Sequence, residues 1–498
     1  SAGITPVLAP DQAKRLERRA RWAEIQMTPF EQWVREDDGT WVERFADTGL
    51  RARFPELYGE NVRRLERLGL TDVLYPYQVD DVARMAMKTR FELGSDVGTG
   101  KSIEYIAYVL VRGIQRAGVV CNSRLIGKWI DEIEAWKERL PHLADQLTYK
   151  VVDCLADLGT VEEGRLKDWS GLDGVRFVLL SYESLWRIPR DSAHKGKSQY
   201  TSRKIPVKPK KKGDPVTYVT RRFWHPSKYS LASAVKRVFA NGAILADEAY
   251  RLKDMDAKQT AALTLLDARC RVAASATMIR NYIDDLLPIL NWLFGERGLL
   301  FRRYGNWQEG EAQRFVERYG TYVYYRYNDP TRSDSRKMLP KIANAGEFRA
   351  WHAPMQIRRM REEPQVRPFV GAAEPSIRHE SIPLSAEHRT FYEQLQSEFA
   401  TWWEEYLKAQ EEKGRVVNPS QILAKLGVLQ RASTCPGMES LAIDGRASIT
   451  YGGGLTSKME RAIELCRQHV ARGEKVVVFG QYKQGLHVLQ EELEDLNP

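Results

Sequence analysis

A glycine-rich segment at residues 94–102 has the composition of a phosphate-binding loop. Its sequence, GSDVGTGKS, precedes an amphipathic helical pattern at residues 103–112. Glycines let backbone N–H groups approach phosphate oxygens, and the N-terminus of the next helix adds a positive dipole. Lys101 can neutralise the charge of β- and γ-phosphates, and the Ser102 hydroxyl can bind Mg²⁺. The residues predicted to hold a nucleotide here are Gly98, Thr99, Gly100, Lys101 and Ser102.

Two carboxylates follow an apolar strand pattern further along the chain. Residues 242–246, GAILA, are typical of a buried strand, and Asp247 and Glu248 come directly after it. An ATPase needs one carboxylate that holds Mg²⁺ and a second that orients or deprotonates the attacking water. We assign the first role to Asp247 and the second to Glu248. With Lys101 they form a predicted catalytic set that uses ATP and Mg²⁺.

Each of these motifs has a simpler interpretation when it is taken alone. Ser95 stands where the pattern G-x-x-x-x-G-K-[ST] has its first glycine, so residues 94–102 are also compatible with a helix-capping turn. Asp247 and Glu248 are equally compatible with an acidic helix N-cap, which is favourable in any protein. The presence of both motifs in one chain favours the ATP site.

The elements that must position these residues follow an alternating pattern. From about Thr71, short apolar runs alternate with amphipathic helical stretches, which indicates βαβ units and a parallel sheet. We therefore predict an α/β fold with a doubly wound lobe. Its clearest strands are residues 117–121, 177–180, 243–246 and 271–274.

The domain organisation is predicted from changes in composition along the chain. Helical patterns occupy residues 11–26 and 55–68, whereas residues 301–375 are charged, aromatic and rich in proline. Later, a strand-like run at 380–384 precedes a long helix at 385–412, and an apolar strand at 475–479 precedes a helix at 485–494. A second lobe would need more strands, so we expect the chain to end inside a domain. The predicted divisions are a helical appendage (1–70), a first lobe (71–300, with a basic insertion at 187–241), a helical or irregular linker (301–375) and an incomplete second lobe (376–498).

Composition excludes several classes of protein. The 498 residues contain no uninterrupted apolar run of about 18 residues and no N-terminal signal-peptide pattern, which argues against membrane and secreted proteins. The five cysteines are widely spread and the eight histidines lack ligand spacing, so neither a disulfide framework nor a structural zinc site is predicted. We expect a reducing compartment: the cytoplasm of a bacterial or phage-infected cell, or the nucleus if the source is eukaryotic.

The net charge of +10 is concentrated in one segment. Residues 187–228 hold 13 Lys and Arg but two acidic residues, a net charge of +11, which leaves −1 for the rest of the chain. We favour a flexible arm that contacts nucleic-acid phosphates without sequence preference. A nuclear-import signal and a solvated loop are the alternatives. The central lysines are Lys208, Lys210, Lys211 and Lys212.

A family resemblance appears at the carboxylate motif. Residues 247–254, DEAYRLKD, resemble the D-E-A-H-R-[IL]-K-N box of the Swi/Snf-type ATPases, a branch of the superfamily-two helicase-like translocases. Further segments resemble that family's other motifs in the expected order, over roughly residues 70–498. These segments are LYPYQ (74–78), VVCNSRLIGKW (119–129), LSYES (180–184), RVAASATMIRN (271–281), residues 426–436, Ser457-Lys458 and KVVVFGQY (475–482).

The resemblance implies two RecA-like lobes that form an ATP-driven motor on double-stranded DNA, usually without strand separation. It implies that Gln78 contacts the adenine edge and that Ser275 and Thr277 couple the nucleotide site to the nucleic-acid groove. Contacts to nucleic acid are implied for Ser123, Arg124, Ser181 and Gln481. A strand-separating DNA or RNA helicase and a non-catalytic ATP-binding clamp remain alternatives, and we expect a monomer.

Two departures from the family pattern affect the predicted coupling. Tyr250 replaces the histidine of the DEAH box, and Met278 replaces the proline that follows Thr277 in the family motif. Motifs V and VI, which carry the family's arginine fingers, would lie beyond residue 498. Since an arginine finger contributes about 10³–10⁵ in rate, we expect this chain to bind ATP but hydrolyse it poorly.

Overall fold

The chain divides into two compact units, Ser1–Ala373 and Glu374–Pro498. The computed structural model describes residues 10–195, 200–207, 217–224, 229–252, 257–295, 311–325, 335–371, 376–412, 419–435, 441–443 and 449–496. Among these residues, no helix is both long enough and apolar enough to cross a membrane. The five cysteines are free thiols with buried side chains.

A seven-stranded parallel sheet lies at the centre of the first unit, in the order β15-β3-β12-β11-β4-β8-β5. The four strands predicted from the sequence are present, and the α/β fold class is confirmed. Strands β4 and β8 are buried along their whole length, which explains their continuous apolar runs. The strands are β3 (Arg90–Leu93), β4 (Ala117–Cys121), β5 (Tyr149–Val151), β8 (Phe177–Ser181), β11 (Ala243–Asp247), β12 (Cys270–Ala274) and β15 (Gln356–Ile357).

Helices cover both faces of this sheet, as a doubly wound fold requires. Successive residues of a strand point to opposite faces, so Val119 of β4 packs in one core layer and Val120 in the other. The first layer holds α2 (Leu50–Arg53), α3 (Pro55–Arg67), α4 (Pro76–Met85), α5 (Lys101–Val111) and α6 (Ile126–Arg139). The second layer holds α7 (Tyr182–Leu185), α8 (Leu231–Ala234), α9 (Lys258–Thr264), α10 (Leu286–Phe294), α11 (Glu311–Tyr319) and α12 (Ala345–His352).

The N-terminal residues pack into the first core layer. Helix α1 (Pro10–Met27) is followed by an antiparallel hairpin of β1 (Gln32–Arg35) and β2 (Trp41–Arg44), which the sequence analysis did not predict. Phe30 is fully buried in this layer. The buried ammonium of Lys88 donates to the main-chain oxygens of Gln26, Thr28 and Pro354. Lys88 therefore joins two distant parts of the chain beside β3.

The basic insertion and the predicted linker both contain regular structure. In the insertion, β9 (Tyr200–Val207) and β10 (Thr217–Trp224) pair antiparallel over eight residues. Lys208, Lys210, Lys211 and Lys212 lie outside the described residues. In the linker, β13 (Gly320–Tyr325) and β14 (Ser335–Ile342) form a second hairpin, and β15 joins the edge of the central sheet. The first unit also contains a smaller pair of β6 (Val161–Glu162) and β7 (Arg165–Leu166) and helix α13 (Arg367–Val370).

Helices predominate in the described residues of the second unit. Its helices are α14 (Ala386–Glu412), α15 (Pro419–Thr434), α16 (Ser457–Ala471) and α17 (Lys483–Glu492), around a small core that includes Phe391 and Leu395. The strands predicted at 380–384 and 475–479 are not present. Residues 475–479 have no strand partner among the described residues of this unit, and Phe479 is 92% exposed. A strand needs a neighbour for its N–H and C=O groups, so apolar composition alone did not form one here.

Candidate functional site

The phosphate-binding loop lies between the carboxyl end of β3 and the N-terminus of α5. Gly98 and Gly100 adopt φ values of +84° and +94°, which favour glycine. A Cβ atom at Gly100 would lie 2.2 Å from Nε2 of Gln78, so a larger residue would displace that side chain. The loop therefore requires the glycines that the sequence motif supplies.

Lys101 rests on the loop's own carbonyl groups. Its Nζ donates to the main-chain oxygens of Ser95 (2.8 Å) and Asp96 (3.0 Å). Burial lowers the pKa of Lys101, whereas the carboxylates of Glu104 and Glu248 raise it. An incoming phosphate would replace these two carbonyl groups as the partner of the ammonium.

Asp247 and Glu248 lie at the carboxyl end of β11 with well-defined partners. The Asp247 carboxylate accepts hydrogen bonds from Trp129 Nε1 and from the Glu248 amide, both at 3.0 Å. Burial raises the pKa of Asp247 and of Glu248, and the charge of Lys101 lowers both. The structure thus brings the three predicted catalytic side chains into one electrostatic site.

Ser275 connects the end of β12 to this site. Ser275 is fully buried, its amide donates to the main-chain oxygen of Leu93 (3.1 Å), and its hydrogen bond to Glu248 lowers the pKa of that carboxyl. The Thr277 amide donates to Ser275 Oγ (3.0 Å). Ser275 is therefore joined directly to Glu248, and Thr277 is joined to it through Ser275.

The two departures from the family pattern have contacts of their own. The Arg280 guanidinium lies over the Tyr250 ring, 5.4 Å from its centroid. Met278 is 6% exposed and packs in the second core layer. These contacts hold the segment after Thr277 against the segment after Glu248.

Gln78 lies buried behind the loop, with both ends of its amide engaged. Its Oε1 accepts from the Tyr75 amide (2.9 Å), and its Nε2 donates to the main-chain oxygen of Thr99 (3.1 Å). The Tyr77 hydroxyl donates to the same oxygen (2.7 Å). Gln78 is 2% exposed, and its contact with an adenine edge stays a prediction. Beside it, the Tyr75 and Phe369 rings lie in contact with centroids 5.0 Å apart and planes tilted by 31°, and both residues are more than 40% exposed.

The predicted nucleic-acid residues differ in exposure. Ser123 and Arg124 are exposed on a short 3₁₀ turn after β4. Ser181 is 6% exposed, and its hydroxyl accepts from the Ser184 amide as the N-cap of α7. Gln481 is exposed in the second unit. Only Ser123 and Arg124 of the first unit thus present accessible groups among the described residues of this set.

Three residues that connect these motifs were not predicted from the sequence. Glu183 accepts from the Ser123 amide (3.2 Å) and pairs with the Arg251 guanidinium (3.0 Å). The Tyr182 hydroxyl donates to the main-chain oxygen of Asp247 (2.9 Å). Tyr182 and Glu183 belong to the SYE motif and Arg251 to the DEAYR motif. The motif matches therefore included these residues, but they did not show that Glu183 pairs with Arg251.

The donor set of the site suits Mg²⁺. The Ser102 hydroxyl lies in the first turn of α5, and Asp247 is one of the acidic residues whose charge acts on Lys101. Mg²⁺ prefers oxygen donors and is usually bound by one or two protein groups together with substrate phosphates and water. Over the described part of the chain, no group of three or more His, Cys, Asp and Glu residues could hold a metal without such help.

The chain is similar to several known proteins. The model of the SNF2-related domain matches residues 91–438. The ATP-dependent helicase ULS1 of Saccharomyces cerevisiae is 24% identical over 243 residues, which represent 48% of this chain but 14% of the yeast protein. Two structures of the Sulfolobus solfataricus SWI2/SNF2 ATPase core, one of them in complex with dsDNA, are each 17% identical. Each match covers 85% of this chain, with TM-scores of 0.38 for the complex and 0.36 for the second structure. The matches cover 70% and 68% of the respective Sulfolobus chains. Because the SNF2-related model covers more than half of the sequence, the chain belongs to the SNF2-related domain family.

Proposed function

We propose that this chain is the ATP-dependent motor of a Swi/Snf-type protein that moves along double-stranded DNA. The observation that carries the proposal is the meeting of Lys101, Glu248 and Ser275 at the carboxyl ends of β3, β11 and β12. Ligands of open parallel sheets bind at this edge. The name of the yeast relative, an ATP-dependent helicase, supports the use of ATP.

The side chains divide the work of ATP hydrolysis as follows. Lys101 leaves the carbonyl oxygens of Ser95 and Asp96 and contacts the β- and γ-phosphates. Ser102 and Asp247 would hold Mg²⁺, which would supply charge neutralisation at the phosphates. Glu248 in its charged form orients the attacking water and accepts its proton, and Ser275 holds that carboxylate in place. The Trp129 indole N–H and the Glu248 amide fix the orientation of the Asp247 carboxylate.

The DNA-facing part of the proposal rests on the turn at Ser123 and Arg124. These exposed residues connect through Glu183 to Arg251, three positions after Glu248. A phosphate contact at this turn would therefore act on the segment that carries the catalytic carboxylates. The lysines at 208 and 210–212 would add contacts that are independent of sequence and sensitive to salt.

Replacement of Lys101 by alanine tests the ATP site. We expect the parent chain to bind a fluorescent ATP analogue in the presence of Mg²⁺, and Lys101→Ala to raise its Kd by tenfold or more. The loss reflects a charge-assisted contact of about 1.5–3 kcal/mol. Lys137→Ala is the matched control, because Lys137 pairs with Glu134 away from the loop. Equal Kd values for the parent and Lys101→Ala would contradict the proposed site.

A strand-separating helicase is the second candidate, and the name of the yeast relative favours it. The two functions differ in what happens to the duplex. Displacement of a triplex-forming third strand without unwinding would support translocation along double-stranded DNA. ATP-dependent release of one strand from a forked duplex would support the helicase.

A further inference from the structure

Residues 356–371, which we call the strap, run along the phosphate-binding loop. The strap begins as β15, parallel to β3, and its Ile357 oxygen accepts from the Gly94 amide at 2.8 Å. The Arg359 amide donates to Ser95 Oγ (3.2 Å), and the Arg359 oxygen accepts from the Asp96 amide (2.9 Å). The Arg361 amide donates to Asp96 Oδ2 (3.1 Å). The strap therefore bonds to three successive residues at the start of the loop.

A buried ion cluster anchors the strap to α4. The Arg359 guanidinium is 2% exposed and lies 2.7 Å from carboxylate oxygens of both Asp80 and Asp81. Burial lowers the pKa of Arg359, but the charges of Asp81 and Asp80 hold it above its usual value. Helix α4 also carries Tyr77 and Gln78, which bond to Thr99 at the other end of the loop. The strap and α4 thus hold the loop from two sides.

The residues that the strap contacts are those on which Lys101 rests. Lys101 donates to the main-chain oxygens of Ser95 and Asp96. The Ser95 side chain is fully buried, and its hydroxyl supplies an acceptor that a glycine at this position would lack. The serine that departs from the common loop pattern is therefore part of the strap contact.

We propose that the strap is a positioning element of the nucleotide site, which holds the phosphate-binding loop in the shape that accepts a triphosphate. Its two side-chain contacts with the loop are the Asp96 carboxylate with the Arg361 amide and the Ser95 hydroxyl with the Arg359 amide. The inference rests on the proposed function, in which this loop binds ATP. A loop that is already ordered loses less conformational entropy when the nucleotide binds, so its affinity for the nucleotide is higher.

A pair of substitutions at Asp96 separates the contact from the charge. Asp96→Asn and Asp96→Ala remove the same negative charge, but only asparagine keeps an oxygen that can accept from the Arg361 amide. We expect the Kd for the fluorescent ATP analogue with Mg²⁺ to be about five- to tenfold higher for Asp96→Ala than for Asp96→Asn. Thermal melting of the nucleotide-free proteins should give similar Tm values for the two variants.

Ser95 provides an independent test with the same readout. We expect Ser95→Ala and Ser95→Gly both to raise the Kd, although glycine restores the common loop pattern. Equal Kd values within the Asp96 pair, or tighter binding by Ser95→Gly than by the parent, would overturn the strap inference alone. If the parent chain bound no ATP, the proposed function would fail and the strap inference with it.

Discussion

Glu248 combines a catalytic assignment with an unfavourable backbone conformation. Its φ of +53° lies in the left-handed region, which costs a residue other than glycine about 1–3 kcal/mol. Asparagine tolerates this conformation better than glutamate or glutamine does. Hydrogen bonds from Ser275 and to Asp247 hold the residue in place. The carboxylate to which we assign the orientation of water is therefore kept at the expense of local stability.

We expect Glu248→Asn to be more stable than Glu248→Gln by about 0.5–1 kcal/mol, because both remove the charge but only asparagine relieves the backbone. Thermal unfolding of the two variants measures the difference. Both should bind the ATP analogue and fail to hydrolyse ATP. A lower Tm for Glu248→Asn would show that the left-handed conformation is not strained.

Glu104 predicts a dependence of stability on pH. It is fully buried on α5, and burial together with the charge of Asp81 raises its pKa well above the usual value, against the charges of Arg359 and Lys101. The folded state therefore keeps a proton that the unfolded state releases above about pH 4.3. The free energy of unfolding falls as the pH rises from the pKa of Glu104 in the unfolded state to its pKa in the folded state. The fall is at most about 1.4 kcal/mol per pH unit.

Glu104→Gln should remove this dependence. We expect its free energy of unfolding to exceed that of the parent by more at pH 8 than at pH 5, as measured by urea denaturation followed by tryptophan fluorescence. Glu56→Gln, at an exposed position of α3, is the control and should show no such trend. A difference between Glu104→Gln and the parent that stays constant from pH 5 to pH 8 would contradict the assignment.

At the scale of elements, α7 connects the exposed turn after β4 to the segment after β11. Its Glu183 binds the Ser123 amide and the Arg251 guanidinium, both partly exposed to water. A carboxylate at this position repels a DNA phosphate that approaches Ser123 and Arg124. Because Glu183 contacts both Ser123 and Arg251, a displacement of the turn would also move Arg251.

We expect Glu183→Gln to lower the Kd for duplex DNA about two- to fivefold at low salt, since partly exposed charge interactions contribute about 0.2–1 kcal/mol. DNA should stimulate the slow ATP hydrolysis that we expect of this chain less in the same variant, because the pair with Arg251 is weakened. Fluorescence anisotropy with a labelled duplex, at two salt concentrations, measures the affinity. Glu138→Gln removes one exposed charge from α6, and an identical effect of both variants would show that Glu183 acts only through net charge.

The elements that the sequence predicted are those whose signal is local. Buried parallel strands such as β4 and β11 need apolar side chains on both faces, so a short apolar run identifies them. Strand β15 has two residues and becomes a strand only through its pairing with β3, which no local pattern reports. The apolar run at 475–479 shows the converse, because composition predicted a strand there and no partner is present among the described residues. The residues of β9 and β10, in the basic insertion, were predicted to belong to a flexible arm, whereas they form a hairpin.

The candidate site shows the same difference between residues with a local sequence signal and residues whose contacts are long-range. Lys101, Asp247 and Glu248 were predicted because each belongs to a motif whose spacing is local. The bond between Arg359 and Ser95, in contrast, joins residues that are 264 positions apart. The engaged amide of Gln78 and the burial of Ser181 likewise depend on tertiary packing, which one sequence does not report.

At the scale of the whole molecule, the first unit extends to Ala373 and includes the strap. The ammonium of Lys88 joins the residues near Thr28 to Pro354, just before β15. Two long-range connections, one through Lys88 and one through Arg359, therefore close the first unit around β3. Both depend on residues that follow Phe348 in the chain.

The ribosome synthesises the strap long after the loop, because the two segments are far apart in the chain. At about 5–20 residues per second, the 264 residues between Ser95 and Arg359 take on the order of 10–50 s to synthesise. Throughout that time the loop has its glycines and Lys101 but lacks the segment that holds it. Full affinity for nucleotide would thus be reached only when the nascent first unit is complete.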